Sequence, residues 1–394
     1  MVASQFYFFR ERNYFAVWLT HFFIDVLNNG RNLLIAILAI SLSLTNAQVG
    51  LVLLCYNIGN ALCQPLFGYL ADRIGVRWLI VGGMAWMIVF YTIAAVASDW
   101  VALITTTIAS VGSGMFHPSG AKVASQIPES HRNRATAVFF FAGQLGLFFG
   151  PVLAGFFLDG FGRAGFLALP ILALIALLSG WQWVTNQSPV FEQKTQITKT
   201  KSTKLNIWRR AILMIIIIFT SYSIGNTLIT FLPKLFTEQN YNQSIVGLLS
   251  GSYVLGGVFG GLAGGYFGDH FSRKIVIAVS LLLSSFPLLF ILDFSGWTQG
   301  FWLFLAGFLT TIPHSLLVIM AQSLFPNKKG MASGLVLGFM FFSGSLGSAI
   351  LGYTADRIGL VNMLSNLWVL GLVAAITAFL IFEEPDGLYG KTTR

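Results

Sequence analysis

The chain has 394 residues, of which 56% are hydrophobic and only 9% are charged, and its formal net charge is +9. No water-soluble domain of this length keeps such a balance in solution, so composition excludes soluble enzymes and soluble binding modules and points to an integral membrane protein. A surplus of +9 could also suggest a nucleic-acid partner, and the placement of the charges decides against that.

Runs of about 20 apolar residues cross a bilayer as helices. In chain order the sequence predicts twelve: Tyr14 to Ile40, Gln48 to Leu70, Trp78 to Ala97, Val101 to Ile127, Arg134 to Leu158 and Ala164 to Val184, then Ala211 to Leu235, Ser244 to Phe267, Ile275 to Leu292, Gly300 to Leu324, Gly330 to Thr354 and Val361 to Phe382. The first run is too long and too polar at its centre for a cleaved signal, so it is expected to stay in the membrane. The polar, Lys/Thr/Gln-rich stretch between the sixth and seventh runs reads as a cytoplasmic linker, 185–208, joining an N-terminal six-helix unit, 1–184, to a C-terminal one, 209–394.

With the N-terminus inside, the cytoplasmic segments hold Arg10, Arg12, Arg73, Arg77, Arg132, Arg134, Lys194, Lys199, Lys201, Lys204, Arg209, Arg210, Arg273, Lys274, Lys328, Lys329, Lys391 and Arg394, while the outer loops hold only Arg163, Lys234 and Arg357. This positive-inside bias predicts a cell-membrane protein, bacterial inner membrane by expectation, with both termini in the cytoplasm. The basic surplus is therefore a topology signal and implies no nucleic acid. Cys55 and Cys63 lie eight residues apart on one predicted helix, about 12 Å, too far for a disulfide.

The second half repeats the first without a gap, at an offset of half the 394 residues. Asn29 aligns with Asn226, Gly50 with Gly247, Tyr56 with Tyr253, Asp72 with Asp269, His117 with His314, Gly155 with Gly352, and Asp159 with Asp356. Duplication in an apolar chain marks a secondary transporter whose substrate site lies between the halves near the midplane. Polar residues at that interface are therefore the candidates for function.

Ionisable groups inside spans are costly and functional by default. Asp25 is the one acid that cannot be placed in a loop or tail. His21, Asp25, Asn28 and Asn32 fall within about 60° of one another on the first helix, with Asn29 beside them, and such a polar stripe suits a cavity better than lipid. Arg31 flanks the stripe and needs a partner, and Lys122 lies toward the inner end of the fourth span, where it could also snorkel to the interface. Arg31 and Lys122 against Asp25 leave the interior slightly positive, which favours an anionic or zwitterionic small molecule. His117 and His314, each next to a proline (Pro118 and Pro313), are expected to face one another across the cavity and share the substrate, on helices bent at those prolines. Metal is not expected, since His21 is the only further ligand in view and no cysteine or carboxylate cluster completes a set. No cofactor is implied.

Two stretches carry a more specific signal. Gly68-Tyr69-Leu70-Ala71-Asp72-Arg73-Ile74-Gly75-Val76-Arg77 follows the second span, and Gly265-Tyr266-Phe267-Gly268-Asp269-His270-Phe271-Ser272-Arg273-Lys274 follows the eighth. Each reads as a tight loop whose acid, Asp72 or Asp269, can meet basic groups or a neighbouring helix N-terminus as a latch, with Arg73, Arg77 and Arg273 beside it. These loops resemble the loop motif of the major facilitator superfamily, partially so in the second copy, where His270 replaces the usual basic residue. The resemblance extends over the whole chain and implies an all-α protein of twelve transmembrane helices in two pseudo-symmetric six-helix bundles, working as a monomer. Gly146-Leu147-Phe148-Phe149-Gly150-Pro151 in the fifth span resembles the element that marks antiporter branches, which favours export; small residues four apart allow close packing, and Pro151 bends the helix.

Thr20-His21-Phe22-Phe23-Ile24-Asp25 and Gly114-Met115-Phe116-His117-Pro118-Ser119-Gly120-Ala121-Lys122 further resemble the fosmidomycin-resistance branch of that superfamily, which implies proton-driven efflux of antibiotic-like compounds. Lys122 stands where that branch often has arginine, and Ser119 where an acid is common. The expected function is thus a secondary transporter exporting a small anionic or amphipathic compound against protons. Proton-coupled uptake or facilitated transport of an organic anion is the alternative, and a non-transporting sensor a third reading. An enzyme is not expected, because no nucleophile with a base or metal cluster appears at helical spacing.

Overall fold

The computed structural model describes residues 7–127, 129–186, 204–324 and 329–381. Every regular element among them is helical. A chain this apolar can satisfy its backbone polar groups inside a bilayer only within helices or a closed barrel. The first seven helices are α1 (Arg12–Ser41), α2 (Asn46–Ile74), α3 (Val76–Val96), α4 (Asp99–Ile108), α5 (Ser110–Ser125), α6 (Glu129–Phe161) and α7 (Ala168–Trp183). They are followed by α8 (Lys204–Glu238), α9 (Gln243–His270), α10 (Arg273–Phe290), α11 (Gly296–Thr311), α12 (Pro313–Leu324), α13 (Lys329–Ile358), α14 (Leu360–Ser365) and α15 (Trp368–Phe379).

Ten stretches among the described residues are long and apolar enough to cross a membrane. The expected fourth span is not among them, and it is divided at Ala109 into α4 and α5. Thr105 and Thr107 turn their hydroxyls back onto the Val101 and Leu103 carbonyls just before the break, a bond that competes with the helical ladder and bends it. The expected fifth and sixth spans run together as one stretch, Arg134–Trp183, with the 3-10 turn Gly162–Leu167 between α6 and α7. The bend beside His314 falls where expected: α11 ends at Thr311 and α12 begins on Pro313, a residue suited to a first helical turn because it has no N–H to leave unpaired. Beside His117 it does not, since α5 continues through Pro118 and the break comes at Ala109.

Five acids expected in loops lie instead in the last turns of helices: Asp72 in α2, Asp159 in α6, Glu238 in α8, Asp269 in α9 and Asp356 in α13. The motif after the second span is therefore helical up to Ile74 and turns at Gly75, whose φ of 90° only glycine adopts without strain. Lys234, expected in an outer loop, sits inside α8, is 5% exposed and pairs with Glu238 one turn on, at 2.5 Å. The predicted linker lies outside the described residues apart from its two ends, as do Lys194, Lys328 and the C-terminal tail.

α1 is the most enclosed helix, with 89% of its apolar window buried. The glycine ladder of α6 makes that enclosure possible. A methyl group built on Gly150 would come within 2.6 Å of the Val26 carbonyl oxygen and 2.8 Å of the Gly30 nitrogen, and one on Gly146 would come 3.0 Å from Cβ of Asp25. The carbonyl of the neighbouring Pro151 lies against Gly247 of α9. Backbone contact of this kind replaces the hydrophobic driving force that lipid does not supply.

Candidate functional site

The polar stripe of α1 faces inward, and its members are buried: His21 is 2%, Asp25 7%, Asn28 9%, Asn29 5%, Arg31 6% and Asn32 4% exposed. His21 Nε2 lies 3.3 Å from Oδ2 of Asp25, and His117 Nε2 approaches Oδ1 of the same carboxylate at 3.8 Å from α5. The other nitrogen of each ring meets a backbone carbonyl. His21 Nδ1 is 2.7 Å from the Phe139 oxygen, and His117 Nδ1 is 2.9 Å from the Ser113 oxygen. A carbonyl only accepts, so both Nδ1 atoms carry hydrogen, and a ring without a second proton turns a lone pair on Nε2 toward the carboxylate. Three acceptor positions then converge with no hydrogen between them. A proton on either imidazole turns this repulsion into a charge-assisted hydrogen bond.

Space for the cluster comes from α6. A methyl group built on Gly143 would come within 2.5 Å of His21 Nε2 and 2.6 Å of Asp25 Oδ2. Phe139, one turn earlier, stacks on the His21 ring at 4.1 Å between centroids. Asn28 completes the carboxylate's shell by donating to Asp25 Oδ1 at 2.8 Å and to the Ser113 hydroxyl at 3.1 Å.

The expectation that no carboxylate would join the histidines needs correction, because Asp25 stands between His21 and His117. The three ligand atoms lie within 4.8 Å of one another and could hold a cation. Bond lengths of 2.0–2.1 Å to a tetrahedral zinc would set ligand atoms about 3.3 Å apart. At 3.3 Å and 3.8 Å from the carboxylate and up to 4.8 Å across, the set is wider than that and matches proton exchange better.

Toward the other end of the stripe the chemistry changes sign. Tyr56 of α2 donates its hydroxyl to Oδ1 of Asn28 at 2.5 Å and has the Tyr91 hydroxyl 3.3 Å away. The Arg31 guanidinium lies over the Tyr56 ring, 3.5 Å from its centroid, and donates through one NH group to the Asn28 carbonyl. No carboxylate forms an ion pair with Arg31 among the described residues, and its Nε is buried without a partner. A buried cation with free donors is a receptor for an anion. Asn32 donates to Asn29, which donates to the Leu147 carbonyl, leaving Asn32 Oδ1 buried and unbonded beside a small cavity that Ser250 and Pro233 of the second half also line.

The remaining predicted residues separate from this cluster. His314 is hydrogen-bonded to the Tyr222 hydroxyl, and Asn226, on the same helix as Tyr222, donates to its carbonyl at 3.2 Å. His117 and His314 thus have different neighbours despite their equivalent sequence positions. Lys122 pairs with Asp72 at 2.5 Å, which brings a predicted site residue and a predicted latch residue together within the first half. Arg77 donates to the Trp181 carbonyl, tying α3 to the end of α7. Arg73 rests on the Tyr69 ring, Arg273 opens α10, and Asp269 is exposed at the end of α9. Tyr56, Tyr91, Ser113, Phe139, Gly143 and Tyr222 were not predicted. Of these, Tyr56 carried a legible signal, its alignment with Tyr253, whose hydroxyl likewise bonds a polar partner, Thr310, at 3.1 Å.

Comparison with known proteins identifies the family. The Major Facilitator Superfamily model matches residues 17–242 and 213–393. The chain is 28% identical over 381 residues to the fosmidomycin resistance protein of Escherichia coli (strain K12), covering 93% of this chain and 91% of that protein. It is 25% identical to the quinolone resistance protein NorA of Staphylococcus aureus, covering 86% of this chain and 90% of the relative. Among solved structures, a bacterial homolog of the human lysosomal transporter Spinster, in an inward-facing and occupied conformation, superposes with a TM-score of 0.77 at 14% identity, covering 96% of this chain and 99% of that one. A D-xylose-proton symporter superposes with a TM-score of 0.70 at 15% identity, covering 95% and 99%. The chain therefore belongs to the Major Facilitator Superfamily and is a multi-pass membrane transporter, not an enzyme.

Proposed function

We propose that this transporter works by alternating access and exports a small anionic or amphipathic compound in exchange for protons. Twelve spans in two six-helix units, 1–184 and 209–394, joined by a cytoplasmic linker, 185–208, are the frame for that cycle, with both termini in the cytoplasm and one chain as the working unit. The observation that carries the reading is Asp25 held between the Nε2 atoms of two imidazoles. Such a group must change its proton content to be stable in both a closed and an open cavity, and that exchange is what coupling requires. Arg31, beside it and without a carboxylate partner, is the proposed seat of the anionic part of the cargo. His21, Asn28 and His117 shape the proton site, while Asn29, Asn32, Lys122, Asn226 and His314 are the further polar groups assigned to substrate and coupling.

Asn28 and Tyr56 link the two subsites. The chain of donors runs from Tyr56 to Asn28 to Asp25, and Arg31 rests on the Tyr56 ring. Protonation of Asp25 removes the charge that orients the Asn28 amide, and the change reaches Arg31 through Tyr56. Export is favoured over uptake by the ladder Gly146, Gly150, Pro151, and fits the resistance named for the fosmidomycin and quinolone relatives. Asp72, Arg73 and Arg77, with Asp269 and Arg273, are the proposed inner gate.

The test is flux in reconstituted vesicles with and without an imposed pH gradient, using fosmidomycin, a quinolone and a panel of organic acids. Cargo movement that rises with the gradient, with protons moving oppositely, supports the reading. Movement indifferent to the gradient leaves facilitated transport, and protons moving in the same direction as the cargo make it a symporter.

A further inference from the structure

Three of the residue pairs aligned by the repeat have no role in the site: Gly50 with Gly247, Gly155 with Gly352, and Asp159 with Asp356. The structure gathers all six at two seams between the halves of the chain. Where α2 packs on α13, a methyl group built on Gly50 would come 2.7 Å from Cα of Ala349, and one on Gly352 would come 2.5 Å from the Asn46 carbonyl oxygen. Where α6 packs on α9, one on Gly155 would come 3.0 Å from Cα of Gly247. At the end of each seam an aspartate meets the N-terminal turn of a helix from the opposite half. Asp356 accepts from the Asn46 N–H at 2.7 Å and from the Ala47 N–H at 2.9 Å, and Asp159 accepts from the Ser244 hydroxyl at 2.8 Å.

The first turn of α2 shows what this contact accomplishes. Helix N-termini leave N–H groups without intrahelical partners. Thr45 and Gln48 satisfy each other reciprocally, the Gln48 N–H donating to the Thr45 hydroxyl at 3.2 Å and the Thr45 N–H to the Gln48 side chain at 2.9 Å. Asn46 and Ala47 remain, and Asp356 takes both. The cap of α2 is thus completed only by the other half of the chain, with the carboxylate placed at the positive end of the helix dipole. The α9 cap is simpler: Asn242 makes no side-chain cap bond, and Asp159 reaches one hydroxyl. Both contacts lie at the ends opposite Asp72 and Asp269, which is the outer surface in the topology proposed above.

We propose that Asp356 and Asp159 are a repeated pair of outer latches that hold the two halves together over the cavity, the Asp356 latch being the stronger. The glycines let the helices meet backbone to backbone, and each aspartate closes its seam with bonds that exist only while the halves touch. Opening the outer side uncaps α2, so its cost is built into the first turn of that helix.

Trp100 and Trp297, equivalent in the repeat, are 58% and 89% exposed and lie at the starts of α4 and α11, outside both seams. Spin labels on W100C and W297C, in a background with Cys55 and Cys63 changed to Ser, report the outer separation of the halves without any cargo. The latch therefore stands or falls separately from the transport reading. Asp356→Asn should raise the long-distance population on the order of tenfold, as expected for loss of a charged cap. Asp159→Asn and Ser244→Ala should raise it about threefold, as for one lost hydrogen bond, and Asp293→Asn, an exposed acid elsewhere, should leave it unchanged. Unchanged distances in the Asp159→Asn/Asp356→Asn double variant overturn the proposal. If the double variant loses its helical circular dichroism, unchanged distances in Ser244→Ala overturn it instead.

Discussion

Asp25 and His21 stand one helical turn apart on α1, carboxylate oxygen to ring nitrogen at 3.3 Å, in a part of the helix closed to solvent. Sharing one helix, the two are carried together through any rigid movement of α1. His117 approaches the same carboxylate from a different helix. In the proposed cycle, relative motion of α1 and α5 would move His117 against the carboxylate and so join a change of shape to a change of charge.

Tyr56→Phe keeps the ring beneath Arg31 and removes only the hydroxyl that bonds Asn28. One buried hydrogen bond is worth about 0.5–1.5 kcal/mol net, so cargo affinity in a counterflow assay should fall by roughly threefold to tenfold. Tyr56→Ala should cost more, since it also removes the surface on which Arg31 rests, and desolvated cation–π contacts reach about 2 kcal/mol. Equal effects from the two changes would mean that the ring contributes nothing.

Gly143→Ala places a methyl group against His21 Nε2 and Asp25 Oδ2. The His21 ring cannot yield easily, because it stacks on Phe139 and bonds the Phe139 carbonyl. Overpacking of this kind costs about 1–3 kcal/mol. The protein should fold with a lowered thermal midpoint and lose most pH-driven transport, as vesicle flux and a melting curve will read. Full coupled transport in this variant would show that the cluster tolerates displacement and does not set the coupling.

Much of this was legible in the sequence, and the parts that were not share a physical cause. The stripe His21, Asp25, Asn28, Asn32 follows from helical periodicity alone, because four positions on one helix keep their relative angles whatever packs against them. Gly143, Ser113 and Phe139 join the site through contacts between helices, where nothing in local spacing marks one glycine or phenylalanine above the many others. The acids placed in loops proved to be helix termini, since one apolar-to-polar boundary fits either. The break at Ala109 was missed because proline was the expected breaker and threonine back-bonding acted instead.

Lys122 and Asp72 form one unit, so they should behave as one. Asp72 has a side chain 69% exposed, and exposed pairs contribute about 0–1 kcal/mol to stability. Asp72→Asn and Lys122→Ala should each leave the melting temperature nearly unchanged and reduce transport by similar factors, and the double change should be no worse than either alone. Additive losses in flux would separate the two residues, leaving Asp72 to the gate and Lys122 to the substrate alone.

His117 and His314 should differ in spite of the repeat. His117→Ala removes one arm of the proton cluster and should flatten the dependence of transport on the pH gradient. His314 meets Tyr222 and, among the described residues, no carboxylate. His314→Ala should therefore weaken cargo binding on the order of tenfold, as for a lost donor to a buried anion, and leave the gradient dependence intact. Matching pH profiles for the two variants would place both histidines in one role.

The most direct measurement is pH-driven accumulation by Asp25→Asn in vesicles, alongside counterflow of the same cargo without a gradient. Asparagine keeps the volume and a hydrogen-bonding oxygen for Asn28 but cannot ionise. Accumulation should be abolished while counterflow persists within a few-fold of the unmodified protein. Undiminished accumulation under the gradient would contradict the account, because the proton would then travel without the carboxylate that the two histidines share.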